Sequence, residues 1–419
     1  MLALLPIALA AAAVWCTLHH ALRSFAFTCW VFTAVATAFA WPSAFETWFG
    51  FDLKYLVVPL VQIIMFGMGT KLSTADFVRV AVMPWPVVVG VTLHYTVMPV
   101  AGFALAKLFG FPPEVAAGVI LIGSVSSGAA SNLIAYLAGG NVALAVTVTA
   151  CSTLVSPIMT PFLMQTLAGR LVPIDFMKMV LEILNMVIVP VVAGLFANRI
   201  LYGTRDWFVS GQRLSAIALG VGLLAVLAAL IPGATLGNLL VLKSGAVVGL
   251  SLICLVASAK LLVCALAGKP NTWMDRALPL VSMTGICLIV GIITVRSREK
   301  LLTVGVALIL AAILHNAIGY FCGYWLSRLI RLDEITCRTI AIEVGMQNGG
   351  MASGLAMGVL KSADAALAPA IFGPWMNISG SMLASWWRKR PVLASGPQKP
   401  SLQPELATAT DSRDSKPRL

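Results

Sequence analysis

The sequence predicts an all-α polytopic membrane protein, on three observations. Of its 419 residues, 59% are hydrophobic and 11% charged, whereas soluble chains carry about 25% charged residues. The mean hydropathy is +0.95, because apolar residues gather in long runs instead of on single faces. Most of these runs approach or exceed the roughly 20 residues that cross a bilayer as a helix. Backbone amides in a hydrocarbon core are satisfied only in helices or closed barrels, and the short alternating segments of a barrel do not occur.

The runs lie at about 1–22, 25–45, 55–70, 85–108, 115–138, 141–168, 176–200, 211–231, 239–267, 277–295, 301–328, 335–360 and 366–387. The first has no basic residue before Arg23, so it does not read as a signal peptide. It is read either as an added span or as an over-long start to the reading frame. The tail from Pro391 to Leu419 turns to Pro, Ser, Gln and mixed charge; it cannot bury a core and is predicted to be disordered.

Charge sets the orientation. Lys71 and Arg79, then Arg199, Arg205 and Arg213, then Lys269 and Arg276, then Arg328, Arg331 and Arg338, and finally Arg388, Lys389 and Arg390 fall in alternate loops. By the positive-inside rule these loops and the C-terminus are cytoplasmic, in a cell membrane. Arg296, Arg298 and Lys300 break the pattern from the opposite side. The net charge of +12 does not imply nucleic acid, since no basic stripe is interleaved with aromatics. Eight cysteines form no CxxC pair and no Cys/His cluster, so they read as packing residues. No cofactor is expected.

Two runs contain segments ill suited to an unbroken span: Gly123-Ser124-Val125-Ser126-Ser127-Gly128-Ala129-Ala130-Ser131-Asn132 and Glu343-Val344-Gly345-Met346-Gln347-Asn348-Gly349-Gly350. Glycine and small polar residues at mid-membrane favour a broken helix, whose freed amides and carbonyls must face protein, water, ions or substrate. The bland reading is small-residue helix packing. A carboxylate in one of the pair points instead to function.

The chain resembles the bile acid:sodium symporter family in Met65-Phe66-Gly67-Met68-Gly69, Ala130-Ser131-Asn132 with Tyr136-Leu137-Ala138, Asn141-Val142-Ala143-Leu144 and Ser152-Thr153-Leu154-Val155-Ser156-Pro157. Leu314-His315-Asn316-Ala317-Ile318-Gly319-Tyr320, Glu343-Val344-Gly345-Met346-Gln347-Asn348 and Asn377-Ile378-Ser379-Gly380-Ser381 continue it, in collinear order from about residue 25 to 390. The resemblance implies ten core helices in two inverted five-helix repeats, with a panel domain facing a core domain in which two broken helices cross. The domains expected are an extra apolar segment 1–24, a first repeat 25–168, a second repeat from 175–202 and 273–390, an inserted helix pair 203–272, and the tail 391–419. It also implies symport, with sodium as coupling ion and a small organic anion (bile-acid-like, keto acid or pantoate-like) as substrate.

Carried over by motif, the first sodium site comprises Ser131, Asn132, Thr149 and Glu343. The second comprises Glu343, the carbonyls of Val344 and Met346, and Gln347, with His94 beside it. Ser126, Ser127, Gly128, Ala129 and Asn348 are expected at the substrate. Hard oxygen ligands suit a small hard cation, and one carboxylate shared by two cations limits the buried charge.

Four departures qualify the match. Ala145 stands where the family commonly has Ser, one turn before Thr149. His94 stands where Gln is common; with an unperturbed pKa of about 6.5 it either makes cation coupling depend on pH or serves as an ordinary helix–helix hydrogen bond. The usual Pro-Gly-Gly at the first break reads Ser126-Ser127-Gly128. Sodium stoichiometry, and sodium against proton coupling, stay open on these residues. Finally, about seventy residues separate the sixth and seventh helices and hold the runs 211–231 and 239–267; an even number of added spans preserves the inverted repeat.

Weaker expectations concern single residues. Lys178 and Glu182 read as an interfacial pair, His315 as a bond to a neighbouring helix, Lys260 as snorkelling to the cytoplasmic face, and Trp41, Trp48, Trp85, Trp386 and Trp387 as an interfacial belt. Beside the symporter stand a proton-coupled or facilitative carrier, a receptor on a transporter scaffold, and a membrane-embedded enzyme. The absence of HExxH, GxSxG and clustered acidic pairs speaks against the enzyme.

Overall fold

A computed structural model describes residues 4–19, 23–203, 206–235, 237–266, 268 and 273–390; the tail 391–419 and Lys269 lie outside the described residues. Helices α1 (Leu4–Leu18) and α2 (Arg23–Ala40) pack together, and α3 (Ser43–Glu46) leads into a two-strand hairpin, β1 (Thr47–Trp48) with β2 (Phe51–Asp52). Phe49 and Gly50 link the strands at φ +50° and +83°, the two positive values that a tight hairpin turn requires. Strands of two residues are too short to leave an alternating pattern, so the sequence did not betray them.

Next come α4 (Val57–Gly69), α5 (Thr74–Val82), α6 (Pro84–Leu108), α7 (Pro113–Ser124), α8 (Ala130–Leu137) and α9 (Val142–Ala168). Helix α10 (Phe176–Ile183) runs through a π-helical turn at Leu184–Ile188 into α11 (Val189–Tyr202). After the short α12 (Asp206–Val209), α13 (Gly211–Leu230) and α14 (Leu240–Lys260) fill the expected insert. The chain closes with α15 (Trp273–Arg296), α16 (Arg298–Leu329), α17 (Glu334–Gly345), α18 (Gly349–Gly358) and α19 (Ala363–Arg388). Among the described residues seven helices, counting α10–α11 as one, are long and apolar enough to cross a membrane.

Local chemistry starts several helices. Asn141, Asp175, Asp333, Asn348 and Ser362 each accept the backbone N–H three residues on, opening α9, α10, α17, α18 and α19. Such caps satisfy one of the donors that every helix start leaves free.

The helices sort into two packed groups. Helices α2, α15, α4 and α11 pack each on the next, and α6, α7, α9, α16, α17 and α19 form the other set. The groups meet where α4 touches α18 and where α15 and α2 touch α19. The insert lies against the first group, α14 packing on α11 and α4. Asn185 keys it there from the π-helical turn: its Oδ1 accepts from Gly245 N at 2.7 Å and Ser244 Oγ at 3.1 Å.

Several residues differ from their sequence reading. Arg296 is no free cation but pairs with Asp52, and Arg298 lies over the Phe39 ring. Arg338 sits buried on α17, bonded to Glu334 at 2.9 Å, instead of in a loop. Lys260 is buried, and its Nζ donates to Ile200 O and Leu201 O at 2.6 and 2.9 Å, closing the C-terminal carbonyls of α11. Trp387 is buried under Tyr324 instead of belonging to an exposed belt.

If α13 and α14 both span, the loop between them faces outward. A lone cysteine placed at Gly233, in an otherwise cysteine-free chain, should react with a membrane-impermeant maleimide on intact cells. Reaction only after the cells are opened would contradict the two-span insert.

Candidate functional site

Helices α7 and α17 stop inside the second group, and the chain resumes as α8 and α18 after short extended breaks. Each break strands backbone donors and acceptors far from water, where each unpaired group costs several kcal/mol. The two breaks solve this by pairing with each other. Ser127 and Gln347 form an antiparallel bridge, with Gly128 N donating to Met346 O at 3.0 Å and Asn348 N to Ser126 O at 2.9 Å. Gly128 is required by this approach, since a Cβ there would lie 2.7 Å from Gln347 O.

Side chains from neighbouring helices take the remaining carbonyls. Thr160 on α9 donates to Ser124 O at 2.8 Å, and Asn316 on α16 donates to Gly345 O at 2.6 Å. Gln347 Nε2 donates to Val344 O at 2.7 Å. His94 on α6 bridges both breaks, with Nε2 2.8 Å from Val125 O and Nδ1 3.1 Å from Glu343 O. Both ring nitrogens are therefore directed at backbone carbonyls and neither at the Glu343 carboxylate. His315 braces a neighbouring contact, Nε2 lying 3.1 Å from Met98 O.

At the crossing lies a fully buried carboxylate, Glu343. Its Oε1 accepts from Ser131 Oγ at 2.5 Å, and its Oε2 from Thr149 Oγ1 at 2.7 Å and Ser127 Oγ at 2.8 Å. Thr149 Oγ1 is also 3.3 Å from Asn132 Oδ1 and 3.4 Å from Ser131 Oγ. Ser131, Asn132, Thr149 and Glu343 thus converge on one small space, and the Ala145 methyl is buried on the same helix one turn away. Beside them, Val344 O, Met346 O and Gln347 belong to the second break. Gln347 Oε1 is buried with no hydrogen-bond partner among the described residues, an acceptor waiting for a donor or a cation.

The donor set is hydroxyls, amide and backbone oxygens around one carboxylate, chemistry for a hard monovalent cation. Among the described residues no group of three or more His, Cys, Asp or Glu could hold a transition metal.

A cavity of about 280 Å³ adjoins the crossing, between the two helix groups. Gly128, Ala129, Gln347 and Asn348 line it, as do the first residues of α8 and α18. Ser126 and Ser127, expected at the substrate, do not. Their hydroxyls are buried, that of Ser126 on Met351 Sδ at 3.7 Å and that of Ser127 on Glu343 Oε2 and Met346 O (3.2 Å). The bridge between the breaks fixes this, because it turns both side chains away from the cavity. Sequence reasoning missed Thr160 and Asn316, whose roles depend on which carbonyls the crossing exposes. It also read Lys71 only for orientation, whereas Lys71 lines the cavity wall.

A profile described as the Sodium Bile acid symporter family matches residues 58–240. Over 364 residues the chain is 34% identical to the "Uncharacterized sodium-dependent transporter YocS" of Bacillus subtilis (strain 168), an alignment covering 87% of this chain and 91% of that protein. The chain belongs to the sodium bile acid symporter family. Within this family it is also similar to the chloroplastic "Probable sodium/metabolite cotransporter BASS1" of Oryza sativa subsp. japonica, at 29% identity over 88% of this chain and 73% of the relative. The "Ileal sodium/bile acid cotransporter" of Oryctolagus cuniculus is 26% identical over 72% of this chain and 69% of the relative. Family membership and the apolar helices make this a multi-pass membrane protein.

The bridging geometry of His94 yields a stability test. A neutral imidazole has one N–H and donates to one of these two carbonyls at a time, so His94→Ala should cost about 1–3 kcal/mol, the loss of the partner of one buried carbonyl. His94→Gln, whose amide carries two N–H donors, should recover most of the loss. Thermal unfolding of the purified variants measures both, and equal melting temperatures for the two would contradict the bridging role.

Proposed function

We propose that the protein is a secondary active transporter that couples sodium entry to the movement of a small organic anion by alternating access. The observation that carries this is the buried Glu343 carboxylate accepting from three hydroxyls at the crossing of two interrupted helices. Relatives named as sodium-dependent transporters or cotransporters support sodium as the coupling ion. Helices α2, α4, α11 and α15 serve as the panel domain, and the group containing the breaks serves as the core. The ten family helices form two inverted repeats, 25–168 and 175–202 with 273–390. The protein sits in the cell membrane with its C-terminus on the cytoplasmic side.

A first sodium binds among Ser131, Asn132, Thr149 and Glu343, and a second among Glu343, Val344 O, Met346 O and Gln347. Without sodium the hydroxyls donate to a bare carboxylate; with sodium bound their lone pairs face the cation and the carboxylate becomes half of a neutral ion pair, which lowers the cost of charge in the interior. Ser127 belongs to this ion shell. Its Oγ lies within hydrogen-bond distance of both Glu343 Oε2 and Met346 O, so it supplies a hydroxyl where Ala145 offers none. His94 is a brace for the breaks, not a ligand.

The anion enters the adjoining cavity, where α8 and α18 present their first turns. Helix N-termini carry a partial positive charge that favours an acidic group. Because ion and anion sites share the two breaks, filling one orders the other, and the loaded core moves against the panel as a unit.

Glu343→Ala should insert normally but lose sodium-driven uptake into vesicles at matched expression; wild-type uptake would overturn the site. Ser127→Ala should raise the half-saturating sodium concentration about tenfold, the loss of one charge-linked oxygen at roughly 1.5 kcal/mol. Adding Ala145→Ser to that variant should restore sodium affinity. An unchanged sodium dependence in Ser127→Ala would remove this residue from the ion shell.

A further inference from the structure

The cavity beside the breaks has one ionisable side chain among its lining residues, Lys71, and no acid. Lys71 follows the end of α4, where a basic residue commonly serves to close helix carbonyls. Here that work is done by other groups. Phe66 O accepts from Thr70 N at 3.0 Å, Gly67 O from Thr70 Oγ1 at 2.7 Å, Met68 O from Lys71 N at 3.1 Å, and Gly69 O from Leu72 N at 3.1 Å. Thr70 O accepts from Asn198 Nδ2 at 2.7 Å. The nearest acid in sequence, Asp76, is engaged by Arg79 and by Ser73 Oγ at 2.8 Å. Among the described residues the Lys71 ammonium enters no ion pair, and the residue is exposed.

The cavity is therefore electropositive on two opposed walls. The panel side carries Lys71, and the core side carries the opening turns of α8 and α18 at Ala129, Ala130, Gly349 and Gly350. Between them the wall is apolar, with Met65, Met68, Ile286 and Ile289. We infer that the substrate carries two acidic groups on an aliphatic body, one held at the helix breaks and the other by Lys71.

This rests on the organic-anion reading above and names its substrate class. A lone monocarboxylate held at the breaks leaves the Lys71 ammonium, which has no ion-pair partner among the described residues, without a counter-charge, whereas a dianion neutralises both poles. It also ties the panel to the core through one molecule, so that only the doubly anchored substrate spans both bodies that alternating access must move.

The test is binding by the purified full-length protein in sodium buffer, read as thermal shift, with two matched pairs: hexanoate against adipate, and octanoate against suberate. Wild type should bind each dicarboxylate about tenfold more tightly than its monocarboxylate. Lys71→Gln should lose that preference while its sodium midpoint stays at the wild-type value, and Lys71→Arg should retain it. Sodium-dependent binding of the monocarboxylates with no dicarboxylate preference would overturn the inference and leave the carrier reading standing. A preference that survives in Lys71→Gln would overturn the role of Lys71. Absence of sodium-dependent binding by any of the four acids, with sodium itself still stabilising the protein, would overturn both the inference and the organic-anion reading.

Discussion

The structure depends on the pairing of two interrupted helices. A bilayer interior offers no water to a broken backbone, so each break is tolerable only because the other supplies partners. The bonds between Ser126 and Asn348 and between Gly128 and Met346 do this directly. Thr160, Asn316 and His94 finish the task from three further helices. That need explains why α6, α9 and α16 crowd around the crossing, and why glycine stands at position 128.

From this constraint the site follows. Pairing the breaks brings Glu343 on α17 against Ser131 on α8 and Thr149 on α9, three segments distant in the chain. A carboxylate buried with only hydroxyl partners and no neighbouring cation is an expensive arrangement, which structures keep for function. The same breaks turn helix starts toward the cavity, so that the carboxylate cluster and the cavity are two faces of one piece of backbone. The opposing helices α4 and α15 contribute a largely apolar wall, with Lys71 just past the end of α4.

Much of this was legible in the sequence because it is local. The runs predicted where the long apolar helices fall, and the glycine and small polar residues near 128 and 348 marked the breaks. The insert showed itself as two apolar runs and is two helices. What the sequence withheld depends on long-range pairing. The hydroxyl of Ser127 faces the carboxylate and not the cavity because an antiparallel bridge to Gln347 decides its side. His94 turns both nitrogens to carbonyls that exist as free acceptors only once the helices break. Lys260 and Arg296 look exposed by charge alone, yet each meets its partner across the fold, at α11 and at Asp52.

The central claim is that the crossing is a sodium site organised by Glu343. Equilibrium binding of radioactive sodium to the purified protein, with Glu343→Gln beside it, addresses it most directly. Wild type should bind sodium saturably, displaced by unlabelled sodium but not by choline, while Glu343→Gln, folded by its unfolding transition, should bind none. Equal saturable binding by the two proteins would contradict the account.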